Sequence, residues 1–495
     1  MADDNGRATV SEDGRYLELP WQTDAQALDT VVAEVQRPGA LERAVWAAVA
    51  ELEQHEPYVR AALHRLTQHH DTSGAGAKRP RARLSHATVY TGLAGIALLY
   101  ARLHALRFPL PAAATTDAAA HAAVPWPQRA AAVARAALAT AGLAPVERLP
   151  DLAGDGADTL LCGEVGVAAA AAAALAASSD PEDRADARVL GRWVGRQLAL
   201  GLVAAEQRAP TRAEQERPPS HELLYGYAGW IACGDLVNAA LPSSPPLVDE
   251  ATLAGLAQLV VRDGRRQAAA AAGGPTPFPL WYAWHGKVYL GAAHGLAGIA
   301  HTLLRTPSRL PDAAERAAVL ATVDALLARC VGPSGNLYSS WPPGADRLVQ
   351  WCHGAAGWVP ALLRAAQASA GDAARYRAAA AAAADVVWAR GVLTKGVGLC
   401  HGIGGNGYVL LLLASPDGRR PDEATPQAAQ AWRRAQAFAW AVMQRPRWQR
   451  QGLLREPDAP YSLYEGLAGG IAYLADVWAV LADRGLRPTF LGFEV

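Results

Sequence analysis

Two cysteines share one local setting in a 495-residue chain that has only five. Cys352 lies in "WCHGAAG", Trp351 to Gly357, and Cys400 in "LCHGIGG", Leu399 to Gly405. Each is followed by histidine, and each precedes a G-x-x-G step by two residues. If the two settings are structurally equivalent, the thiols stand at one height on neighbouring elements. His401 then adds an imidazole nitrogen beside Cys400. Two thiolates and an imidazole are ligands suited to Zn²⁺. Three protein ligands leave a fourth position open, which is the pattern of catalytic rather than structural zinc. One Zn²⁺ at Cys352, Cys400 and His401 is therefore expected. The spacing is not that of a zinc finger, so the expectation depends on the equivalence of the two blocks. A buried cysteine is otherwise a small inert hydrophobe, the reading given to Cys162, Cys233 and Cys330.

The equivalence comes from a repeat. Seven segments share an apolar lead-in, G-x-x-G and an apolar helix-like run, with first glycines Gly92, Gly163, Gly226, Gly295, Gly354, Gly402 and Gly466. They recur at intervals of 48 to 71 residues, roughly two helices with their loops. Between them lie amphipathic stretches such as "DAAERAAVLATVDALLARC" (312–330) with helical periodicity. The glycine-led runs are apolar nearly all round, as buried helices are. An outer amphipathic helix followed by an inner buried helix, seven times over, predicts an all-α fold: a seven-fold α/α toroid, a double ring. Residues 1–40 read as an N-terminal segment and 41–495 as a single toroid domain with an insertion around 107–150. Helix N-termini offer unpaired N–H groups that favour anions. The residues just before each first glycine (Thr91, Cys162, Tyr225, His294, His353, His401 and Glu465) should rim a common funnel.

Composition narrows the function. Acidic and basic residues balance at 46 each, so no net field draws the protein to nucleic acid. Lysine occurs only at Lys78, Lys287 and Lys395, which singles out the two that fall in motif blocks. Few, odd-numbered cysteines argue for a reducing compartment. The polar start "MADDNGRATVSEDGR" lacks signal-peptide features. The apolar runs are shorter than a membrane span. A cytoplasmic location is expected, with peripheral association with the plasma membrane left open.

"WCHGAAG", "GLCHGIGG", "YLGAAHGLAGI", "YSLYEGLAGGIAYLAD" and "TVYTGLAGIALLY" together resemble the lanthionine synthetase C-like family, over nearly the whole chain. The eukaryotic branch fits best: bacterial cyclases tend to carry tyrosine where His353 stands, and "WHGKVYLGAAHG" is similar to plant or algal members. The resemblance implies a seven-fold α/α toroid with one zinc on Cys352, Cys400 and His401. It also implies thioether formation: addition of glutathione to dehydroalanine or dehydrobutyrine residues in proteins or peptides. Lys395, five residues before Cys400, and "REPD" (Arg455, Glu456, Pro457, Asp458) match the family's glutathione contacts. His294 matches its acid/base histidine. Asp158 stands near where bacterial cyclases carry a catalytic aspartate.

The chemistry this implies needs a thiolate at neutral pH, which a metal supplies. It then needs a proton for the α-carbon of the resulting enolate, the task given to His294. His353 is expected to orient a water or a zinc ligand, and Arg347 to stabilise the enolate. The competing class is a non-catalytic glutathione-binding or membrane-associated, receptor-like signalling protein, which would not need an open metal site. A glycan-processing toroid would want two carboxylates flanking the cleft, and the rim plainly offers only Glu465.

Overall fold

The first glycine of every G-x-x-G block is the N-cap of a helix, and the seven helices so started form the inner ring of the protein. The computed structural model describes residues 8–67, 84–111, 124–150, 152, 159–207, 220–271, 276–369, 371–416, 418–421 and 425–494. Numbered in chain order, the inner helices are α4 (Leu93–Ala105), α6 (Glu164–Ala176), α8 (Tyr227–Ala240), α10 (Leu296–Arg305), α12 (Ala355–Ala368), α14 (Ile403–Ala414) and α17 (Leu467–Leu481). Their caps are the seven glycines from Gly92 to Gly466. Each inner helix packs on the next, and α17 returns to α4, which closes the ring.

The outer ring comprises α5 (Trp126–Ala141), α7 (Pro181–Gln207), α9 (Glu250–Ala270), α11 (Ala313–Arg329), α13 (Ala373–Arg390) and α15 (Pro426–Met443). Each packs on the inner helix that precedes it. Among the described residues no outer helix follows α17, and α2 (Ala40–His55) covers it from the N-terminal side. The pairing is thus inner helix first and outer second, the reverse of the phase expected from the sequence. Helix α5 falls inside the stretch expected to be an insertion, and it packs on both α4 and α6. The N-terminal residues are stitched to the ring as well: α1 (Ala25–Gln36) packs on α15, and Leu17 N–H donates to Val392 O at 2.7 Å. The remaining helices, α3 (Pro57–Thr67) and α16 (Arg445–Arg450), are peripheral, and the strands are two-residue pairs. No described helix is long and apolar enough to cross a membrane.

The second glycine of each block has a steric cause. A Cβ at Gly357 would overlap the carbonyl oxygen of Trp351, and one at Gly405 that of Leu399. The lead-in folds back over the first helical turn, and only a residue without a side chain fits beneath it. The lead-ins then bond to each other around the ring: Tyr90 N to Leu161 O (2.9 Å), Cys352 N to Cys400 O (3.2 Å), Cys400 N to Tyr464 O (2.7 Å) and Tyr464 N to Tyr90 O (3.2 Å). These residues all stand two before a first glycine, so this backbone ring sets their side chains at one level.

The C-terminal tail fills the centre from the far side. Phe490 stacks on Trp351, and Phe493 stacks on His301. Glu494 is bound by His301 (2.8 Å), Arg364 (2.8 Å) and Arg487 (2.6 Å). Trp351, fully buried on these rings, precedes the first metal-ligand candidate.

Candidate metal centre

Cys352, Cys400 and His401 converge as the repeat requires. Their two Sγ atoms and one ring nitrogen lie within 4.8 Å of one another. Both cysteines are buried, and His401 is half-buried at the start of α14. Tetrahedral zinc with bonds of about 2.0–2.3 Å places its ligand atoms about 3.5–4 Å apart, so the donor set fits that ion in chemistry and its 4.8 Å limit admits the spacing. Burial drives both thiols up, but hydrogen bonds with Cys400 and His401, with the charge of His353 nearby, hold Cys352 well below the usual thiol range. Burial and the adjoining Cys352 thiolate push Cys400 well above it. Without metal the two sulfurs thus share one proton. A divalent cation would displace that proton and hold both sulfurs as thiolates.

Gly354, which caps α12 beside the site, differs from the other first glycines in its φ of +106°. That conformation turns the chain sharply between His353 and the helix.

Beside the metal ligands stands an aromatic and histidine wall. His294 stacks on Trp284 with ring centroids 4.6 Å apart and lies 6.2 Å from both Tyr225 and His353. Its Nδ1 is 3.1 Å from Glu222 Oε2. Glu222 is buried and also accepts from the backbone N–H groups of Leu224 (2.8 Å) and Tyr225 (2.6 Å), so its carboxylate is fixed. Burial lowers the His353 pKa, and its Nδ1 has no hydrogen-bond partner among the described residues. Cys162 hydrogen-bonds Tyr225, but burial pushes its thiol up to about 12, so it stays protonated. Trp284 opens a tight turn closed by mutual bonds with Lys287 (2.8 and 3.1 Å), with His285 at φ +49° and Gly286 at φ +73°.

The expected glutathione contacts form a second cluster. Lys395 is half-buried, and its charge acts on His353. The "REPD" loop is pinned beside it, because Arg455 N–H donates to Thr394 O at 2.8 Å. Gly396, at φ +119°, faces Arg455 O and Pro457 Cδ. Arg455, Glu456 and Asp458 are exposed and Pro457 half-buried, so the charged heads are free to meet a ligand. Arg347 is exposed on the loop before Trp351, and no hydrogen bond or ion pair among the described residues joins it to the cysteines. Asp158 lies outside the described residues.

Sequence reading missed Glu222, Tyr90 and Gln350. Glu222 occupies the fourth position before a first glycine, where Thr88, Thr159, Gln350 and Ser462 stand in other blocks. A carboxylate at that register was the available signal. Tyr90 shares the register of Cys400, and its hydroxyl bonds that sulfur.

The family model described as lanthionine synthetase C-like protein matches residues 85–479. Among curated proteins, the chain is 33% identical over 217 residues to Glutathione S-transferase LANCL1 of Danio rerio, covering 44% of this chain and 48% of that one. It is 31% identical over 300 residues to LanC-like protein GCL1 of Arabidopsis thaliana, covering 60% of this chain and 64% of that one. The matches thus span about half to just under two thirds of these relatives. Among solved structures, Nisin cyclase superposes with a TM-score of 0.56 at 15% identity, covering 88% of this chain and 99% of its own, which shows a shared fold.

Proposed function

Because the chain belongs to the lanthionine synthetase C-like family, we propose that it forms thioethers by adding glutathione thiolate to dehydroalanine or dehydrobutyrine residues of proteins or peptides, with one Zn²⁺ at Cys352, Cys400 and His401. The observation that carries this is the convergence of those three ligands within 4.8 Å, next to a histidine fixed by a buried carboxylate. The relative named as a glutathione S-transferase supports the choice of thiol. Zinc, when bound, would hold the incoming thiol as a thiolate at neutral pH.

The chain's own residues supply the rest. Lys395 and Arg455 bind the carboxylates of glutathione, and Asp458 its α-amine. The sulfur forms a bond to the β-carbon of the dehydroamino acid. The π pair moves toward the α-carbon and carbonyl oxygen, and a proton must reach the α-carbon. His294 relays it: Glu222 accepts from Nδ1–H, so Nε2 takes up the proton that the glutathione thiol gives up and passes it to the α-carbon. Tyr225, Trp284 and Tyr289 wall that side. The five free cysteines support a cytoplasmic setting; whether the protein also attaches to membrane is a matter for cell fractionation.

Mass spectrometry of a dehydrobutyrine peptide incubated with glutathione and the protein, alongside Cys352→Ala, tests the reading. An adduct that requires Cys352 supports it. No adduct above background from protein that contains zinc overturns it in favour of a binding role.

A further inference from the structure

The proposed reaction has a selectivity problem. With a metal bound, Cys352 and Cys400 are themselves thiolates, and the proposed reaction brings the dehydroamino acid to the metal they would hold. The ligand set alone does not say why the incoming sulfur, and not a protein sulfur, bonds to the electrophile.

Each protein sulfur has its own hydrogen-bond donor. Gln350 Nε2 lies 3.0 Å from Cys352 Sγ. The Gln350 side chain is buried, and its backbone is locked by reciprocal bonds with His353 at 3.0 and 3.2 Å. The backbone ring sets Tyr90 next to Cys400, with Cys400 N–H to Tyr464 O at 2.7 Å and Tyr464 N–H to Tyr90 O at 3.2 Å, and the Tyr90 hydroxyl pairs with the sulfur. Tyr90 is held by its N–H to Leu161 O (2.9 Å), by its carbonyl from Tyr464 N (3.2 Å) and by stacking on Tyr464 at 4.9 Å. One donor comes from the cysteine's own block. The other comes from the first block, carried to Cys400 by ring closure.

We infer that Gln350 and Tyr90 quench the nucleophilicity of the two protein thiolates, one donor to each, and so direct C–S bond formation to the substrate sulfur. A charge-assisted hydrogen bond stabilises the sulfur lone pair that would attack. A protein sulfur must give up that bond to reach carbon. The identity of the substrate sulfur rests on the proposed function, but the shielding is a property of Cys352 and Cys400 themselves. Tyr90 and Gln350 are positioning residues, because they act through the cysteines.

The test uses zinc-loaded protein without glutathione, treated with iodoacetamide. The attacking sulfur forms one S–C bond, the C–I bond breaks and iodide leaves. Peptide mass mapping gives the alkylation rate at each cysteine, and bound zinc is measured in parallel. Tyr90→Phe is expected to raise alkylation of Cys400 about tenfold and leave Cys352 unchanged; Gln350→Met is expected to do the converse. A free-cysteine peptide added to the mixture serves as the internal reference for reagent concentration. Unchanged rates at both ligands, or an equal rise at both in either variant, overturn the inference, since the latter reports loosening alone. If one variant fails to fold, the Cys352-to-Cys400 ratio in the other decides. Thioether formation is not part of the readout, so the result stands whether or not the peptide assay gives an adduct.

Discussion

Glu222 Oε2 and His294 Nδ1 lie 3.1 Å apart although 72 residues separate them in the chain. An ionised carboxylate can only accept, so Nδ1 carries a hydrogen and the tautomer of His294 is set. His294→Gln should slow adduct formation by about 10²–10⁴. Glu222→Gln should slow it by about 10–100-fold with little change in glutathione KM. Single-turnover rates measure both, and a wild-type rate in Glu222→Gln would remove the carboxylate from the mechanism.

Metal content should follow the ligand set. The wild-type protein should bind about one zinc per chain, and Cys352→Ala or Cys400→Ala should each lose most of it. Elemental analysis after gel filtration decides, with Cys330→Ala as the control. Loss of zinc in the control as well would mean that folding, not ligation, was being read.

Lys395 and Arg455 should act on glutathione rather than on the peptide. Lys395→Gln and Arg455→Gln are expected to raise KM for glutathione about tenfold each, with kcat within about threefold. A fall in kcat at unchanged KM would instead place Lys395 with the reacting atoms.

Gly291 controls the site without being a ligand. A Cβ there would overlap the carbonyl oxygen of Cys352 and crowd His353 Cα. Gly291→Ala should cost about 1–3 kcal/mol of stability and lower zinc affinity. Thermal unfolding and a competing chelator measure the two effects. Wild-type affinity would show that the lead-in can shift without moving the sulfur.

Acid should loosen the tail. Burial lowers the His301 pKa from 6.5 to about 4. The unfolded chain therefore binds a proton between those values that the folded one does not, so stability falls as pH drops from about 6.5 to 4, by about 3 kcal/mol from this group. Glu494 changes in the same direction at lower pH. Burial opposes its charge, but His301, Arg364 and Arg487 hold its carboxyl well below the usual range, so its stabilising charge is lost as the folded form protonates. Denaturation of His301→Gln at pH 6.5 and 4.5 should show a shallower slope than wild type; an equal slope would assign the acid sensitivity elsewhere.

The seven glycine blocks were legible because they are local. A glycine followed three residues later by another reports a lead-in folded onto its own helix, and that contact lies within a few residues of chain. The register of Cys352 and Cys400 followed from the same repeat, as did the rim position of His294. The phase of the rings was not legible. Inner and outer helices alternate, so the periodicity reads equally well in either direction, and only packing shows that α2 covers α17.

Glu222 and Tyr90 were harder still. Each sits in one block and acquires its role from a different one. The sequence by itself determined the element type, the number of repeats and the chemistry available at the funnel, because composition and local sterics act over short distances. Tertiary structure alone decided which blocks meet. Closing the ring brings Tyr464 back to Tyr90 and Tyr90 to Cys400, while the tail's Phe490 reaches Trp351 beneath the sulfurs. Contacts between chain positions hundreds of residues apart leave no periodic trace, since their cost and their gain are set by the closed core as a whole.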